Sequence, residues 1–148
     1  MRVWDFDGVI FNSQRDNSDD FLVWNVHNKG LVASLPELNH QHMGSHESDI
    51  LLVNRPKTQL DLIQEVLSYN NLYFDEIYFA EDFAKGKSKG TPLWMANILN
   101  KYYGAYLITS IPELTADDGN YLVEVTEFTP DLRHAFDNVK IGKTTLGV

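Results

Sequence analysis

Asp5 and Asp7, in the run Arg2-Val-Trp-Asp-Phe-Asp-Gly8, are two carboxylates separated by one residue at the end of a short apolar stretch. Carboxylates so spaced can divide the work of phosphoryl transfer. Asp5 can attack a phosphorus atom while Asp7, beside Gly8, protonates the leaving oxygen. Between them they can also hold a hard cation such as Mg²⁺, which takes oxygen ligands. Further polar groups stand at Asn54, at Lys85, Lys87 and Lys89, and from Thr109 through Glu113.

To act together these groups must be carried to one place, and alternating strands and helices do that. Residues 2–6 predict a strand ended by Gly8. Ile50 to Val53 is apolar throughout, as in a strand covered on both faces. Glu76 to Ala80, Ala105 to Thr109 and Tyr121 to Phe128 predict three more, the last with the alternation of an edge strand. Leu60, Leu62, Ile63, Val66 and Leu67 recur at helical spacing after a capping pair, Thr58 and Asp61. A second helix is bounded by Thr91 as cap, Pro92 at the first helical position and Gly104 beyond Tyr103. Ser110 to Glu113 opens a short helix by the same logic, and a last helix is expected from Thr129-Pro130. The pattern predicts an α/β fold of Rossmann-like type: a central parallel five-stranded sheet, helices on both faces and right-handed crossovers. In such a sheet ligands bind outside the carboxyl ends of the strands, where Asp5, Asp7, Asn54, the lysine loop and Thr109 to Glu113 all fall.

The chain has 148 residues, 43% of them hydrophobic, and a net charge of -9 from 12 Lys+Arg against 21 Asp+Glu. A chain of ~150 residues can bury roughly 70% of its unfolded surface, so residues 1–148 are expected to form one domain. Its least regular stretch, residues 11–48, is read as a small cap-like insertion after the first strand. The absence of Cys excludes a disulfide framework, a Cys-ligated zinc site and a thiol nucleophile. His40, His42 and His46 are read as polar loop residues rather than zinc ligands, and Trp24, Trp94 and Tyr102-Tyr103 as core. No stretch nears the ~18 apolar residues a membrane span needs, and the N-terminus lacks the order of a secretory signal, so a cytoplasmic protein is expected. The acidic balance argues against strong binding to duplex nucleic acid, which depends on Lys and Arg neutralising phosphates.

The string from Val3 to Ser13 resembles the first signature of the haloacid dehalogenase-like (HAD) phosphohydrolases, in which two Asp flank one residue and a Gly follows. The resemblance extends over essentially the whole chain through the order of its five strands. It implies that Asp5 is the nucleophile forming an aspartyl-phosphate and that Asp7 is the general acid and base. Ile50 to Arg55 looks like the second motif, with Asn54 where a hydroxyl is usual; its amide can still donate to a phosphoryl oxygen. Gly8, Asn54 and Arg55 would then surround the substrate. For the third motif Lys89 is the candidate to neutralise the phosphoryl group and Asp5, with Lys85 and Lys87 as competitors. In the fourth, Ile108 to Glu113 resembles Gly-Asp-Ser-x-x-Asp, but Thr109 stands at the leading metal-binding Asp and Glu113 at the trailing one. The resemblance thus implies Mg²⁺ held by Asp5, Asp7 and Glu113, at a site one carboxylate short.

The expected activity is Mg²⁺-dependent hydrolysis of a phosphomonoester, the substrate being a small phosphorylated molecule or the phosphorylated end of a macromolecule. About 40 residues separate Ser13 from Asn54, too few for a large cap, and HAD members without one tend to have open sites. Thr109 motivates an alternative, a catalytically impaired pseudo-phosphatase that acts as a binding protein. A third reading, an accessory in nucleic-acid end processing of the 3′-phosphatase kind, rests on Leu72 to Ile77 and Gly90 to Met95. These resemble HAD domains associated with RNA repair, although Met95 stands where that group has Lys.

Overall fold

The structure is a computed structural model that describes residues 1–13, 32–35, 49–88, 91–102, 104–111 and 121–133. In chain order its elements are β1 (Arg2–Asp5), β2 (Asp49–Val53), α1 (Leu60–Tyr69), β3 (Glu76–Phe79), β4 (Lys87–Ser88), β5 (Thr91–Pro92), α2 (Leu93–Leu99), β6 (Tyr106–Thr109) and β7 (Leu122–Val125). Five of the strands form a parallel sheet in the order β3-β2-β1-β6-β7, so β1 is central and the expected Rossmannoid architecture is present.

Successive strand side chains point to opposite faces, and the core divides accordingly. Trp4, Leu51, Val53 and Ile108 lie on one face with Ile63, Val66 and Leu67 of α1. Val3, Ile50, Leu52, Leu107 and Val123 lie on the other with Trp94, Met95, Ile98 and Leu99 of α2. Because Asp5 follows Val3 by two, its side chain belongs to the α2 face, at the carboxyl tip of the central strand. At the opposite end Asp49 accepts from Arg2 Nε and Nη2, each at 2.6 Å, and from Trp4 Nε1 at 3.0 Å. This buried fork fixes the register in which Arg2 faces Asp49.

The first helix begins differently from its sequence signal. Pro56 opens a 3-10 turn over Lys57–Gln59, and no side-chain cap from Thr58 forms. The turn is held instead by Arg55 Nη1 donating to Gln59 Oε1 at 3.1 Å, and by Glu81 Oε1 accepting from the Lys57 backbone N–H at 2.7 Å. The helix ends on Asn71 at φ 58, with Leu72 N–H on the Leu67 carbonyl and Asn71 N–H on that of Ser68. That pairing is the Schellman pattern, with Asn in the left-handed position.

Thr91 and Pro92 do not start the second helix. They pair antiparallel with Lys87 and Ser88 as a small ribbon, and Leu93 N–H donates to the Gly86 carbonyl at 2.9 Å. A residue before proline is driven toward extended backbone, and Pro92 itself sits at ψ 133, so the helix waits until Leu93. Asn100, Lys101 and Tyr102 continue in turns, and Gly104 at φ 73 makes the expected stop. The helix expected to open at Thr129-Pro130 is not formed over residues 129–133. There Pro130 accepts from Ser34 N–H, and Leu132 N–H donates to the Ser34 carbonyl, each at 2.8 Å. Within residues 11–48, Phe11 bridges Val32, and both are buried in the α1-side core. The helix expected from Ser110 to Glu113 lies largely outside the described residues, as do the three histidines from His40 to His46 and Trp24.

Candidate active site

Asp5 closes β1, and the chain then turns sharply: Phe11 N–H donates to the Phe6 carbonyl and Gly8 N–H to that of Phe11, each at 2.9 Å. Gly8 has φ 80, and a Cβ there would lie 2.6 Å from Ser110 Oγ. The left-handed backbone favours glycine here, and a side chain would also push Ser110 at the end of β6 aside. The parallel arrangement sets the ends of β2 and β6 beside this turn. Asp5, Asp7, Asn54, Ser110 and Ile111 therefore line one cavity of about 220 Å³, whose remaining wall is Leu52, Pro92, Trp94 and Met95.

Asp5 is only 7% exposed. Thr109 Oγ1 donates a hydrogen bond to Asp5 Oδ2 and itself accepts from Ile111 N–H at 3.1 Å. Burial raises the Asp5 pKa from 3.8 to about 7, the Thr109 hydrogen bond works against the rise and the nearby Asp7 charge adds to it. The buried threonine thus stands where the resemblance places a metal-binding carboxylate and spends its hydroxyl on the candidate nucleophile.

Asp7 is held from the other side. Arg55 Nη2 donates to Asp7 Oδ1 at 2.7 Å, and Arg55 Nε lies 3.0 Å from Oδ2. The Arg55 side chain is fully buried, with its guanidinium carbon 5.5 Å from the Phe6 ring centroid and 5.8 Å from that of Phe11. Those two rings stack on one another at 5.2 Å, so Arg55 rests on an aromatic platform with Gln59 behind it. This geometry makes Arg55 a residue that orients Asp7.

The structure therefore brings together Asp5, Asp7, Gly8 and Asn54, and sets Arg55 behind Asp7. Lys89 and Glu113 lie outside the described residues. Lys87 is in β4, whereas Lys85 lines a second cavity of about 440 Å³ that shares Asn54 and Trp94 with the first. Trp94, read from sequence as core, is largely buried yet forms a wall of both cavities. Gln59 gave no sequence signal beyond standing four residues after Arg55. Among the described residues no group of three or more His, Asp or Glu is placed to hold a metal ion, and no Lys or Arg lines the smaller cavity. A phosphoryl dianion entering it meets Asp7, already paired with Arg55, and Asp5, whose pKa of about 7 leaves it partly charged; a bound cation would offset the remaining negative charge. Comparison with protein families, with curated proteins and with solved structures finds no significant match to this chain.

Proposed function

We propose that the chain is a phosphomonoester hydrolase of the HAD type, in which the proton that burial favours on Asp5 passes to Asp7, an Asp5 oxygen attacks phosphorus and Asp7 gives that proton to the departing ester oxygen. Water then attacks the aspartyl-phosphate, Asp7 takes its proton, and phosphate leaves with Asp5 regenerated. The observation that carries this reading is the convergence of Asp5, Asp7, Asn54 and Ser110 on one cavity at the carboxyl edge of a parallel sheet. Asn54 and Ser110 supply neutral donors for phosphoryl oxygens, and Arg55 keeps Asp7 in place. The substrate is a small phosphorylated molecule or a phosphorylated chain end.

The donors facing the cavity are hard oxygens, which suits Mg²⁺ by type, while Thr109 in place of a carboxylate lowers the anionic count. Asp5 and Asp7 would hold the ion, with Glu113 as the further candidate. When bound, it would offset the charge between Asp5 and the phosphoryl oxygens. Lys89 is proposed to contribute in the same sense.

With Mg²⁺ the purified chain is expected to release phosphate from a generic aryl ester, and Asp5→Asn to abolish the release. Retained turnover in that variant would exclude the covalent route. The hydrogen bond from Thr109 to Asp5 favours a second reading, a pseudo-phosphatase that binds phosphorylated ligands and turns them over slowly. Thr109→Asp separates the two. A gain of about tenfold or more in Mg²⁺ affinity and rate, 1.4 kcal/mol per decade, marks an active site weakened at this position. Phosphate binding without turnover in either form marks a binding protein.

A further inference from the structure

The smaller cavity, about 220 Å³, lies below the roughly 300–1,000 Å³ usual for small-molecule sites, so a substrate of that class seated on the aspartates extends beyond it. The larger one, about 440 Å³, falls inside that range. They share Asn54 and Trp94, so the second space adjoins the first across the Trp94 wall. Resting on the proposed phosphatase reading, we infer that this second cavity is the leaving-group subsite and that it takes a flat aromatic or heteroaromatic ring.

The lining argues for that chemistry. Pro56, Ala80, Ala84 and Trp94 give apolar surface with no run of hydroxyl or amide groups such as a polyhydroxylated leaving group needs. Small residues at positions 80 and 84 leave the width, and Trp94 supplies an aromatic surface for ring contact. Of the polar residues in the lining, Asn54 adds a single amide, Arg55 is fully buried and paired with Asp7, and Lys85 and Glu81 carry opposite charges, so the subsite has little net preference for a charged substituent. Glu81 is moreover engaged by the Lys57 backbone N–H.

The test uses two phosphonates that cannot be hydrolysed, benzylphosphonate and methylphosphonate, titrated calorimetrically into the full chain with Mg²⁺. Both carry the same anionic head and differ in the ring. Benzylphosphonate is expected to bind at least about tenfold tighter. Ala84→Trp and Ala80→Leu, which fill the second cavity from two positions, are expected to erase that advantage and leave methylphosphonate affinity unchanged. Having two fillings guards against one that misfolds or swings into solvent. Equal affinity for both compounds on the unaltered chain, or an advantage that survives both substitutions, overturns the subsite. Failure of both compounds to bind would overturn the phosphoryl site itself, and the subsite with it.

Discussion

A carboxylate as deeply buried as Asp5 binds its proton more tightly in the folded chain than in the unfolded one. Its pKa is 3.8 in the open and about 7 in place, mainly through desolvation. Between those values the folded state holds the extra proton, so stability falls as pH rises from about 4 and levels off above about 7. At about 1.4 kcal/mol per pH unit, the loss over that window is on the order of 4 kcal/mol. Asp5→Asn keeps the shape without the titration. In a metal chelator, urea unfolding should show the variant gaining on the parent chain by several kcal/mol on going from pH 4 to pH 8; a difference that does not vary with pH would contradict this. The same residue must be ionised to act as a nucleophile, so the cost in stability and the capacity for chemistry reside in one group. Thr109, which donates to that carboxylate, offsets part of the cost.

At the scale of elements, the two ends of the central strands do different work. The amino end carries the Arg2, Trp4 and Asp49 fork, remote from the cavity residues. Asp49→Ala removes the acceptor that Arg2 and Trp4 share, and is expected to cost about 3–5 kcal/mol, the range for breaking a buried ion pair. Phosphate release per folded molecule should be unchanged, as denaturant melts and assays on the same sample would show; a loss of activity without a loss of stability would connect this fork to the site. The strands were legible as short runs rich in apolar residues, the last by its alternation, and the helices read between several of them implied a parallel sheet. The helix starts were harder to read. Thr91-Pro92 carries a capping signal that the ribbon with Lys87 and Ser88 overrides, and Thr129-Pro130 carries one that pairing with Ser34 overrides. In the first a tight local hairpin, and in the second a long-range backbone contact, outweighs a capping preference worth about 1 kcal/mol.

For the molecule as a whole, parallel strands place their carboxyl ends on one edge, which is why Asp5, Asp7 and Asn54 could be grouped from sequence alone. That Arg55 pairs with an acid was a reading open from sequence, but that the acid is Asp7 was not, since the partners are 48 positions apart and the aromatic support comes from the turn after β1. The double role of Trp94 was hidden for another reason: an aromatic residue in an apolar helix has the composition of core. A net charge of -9 bears on partners. Duplex DNA should show no measurable binding at about 0.15 M salt, with little change as salt is lowered, whereas an affinity that rises steeply on dilution would reveal a basic face that the composition does not suggest. If Asp5 takes the phosphoryl group, an acyl phosphate forms on it during turnover. Quenching the reaction in acid during turnover with Mg²⁺ and mapping the modified peptide by mass spectrometry tests it most directly. An alkali-labile phosphate is expected on Asp5 and none in Asp5→Asn; phosphate released at an undiminished rate by that variant would rule out Asp5 as the acceptor.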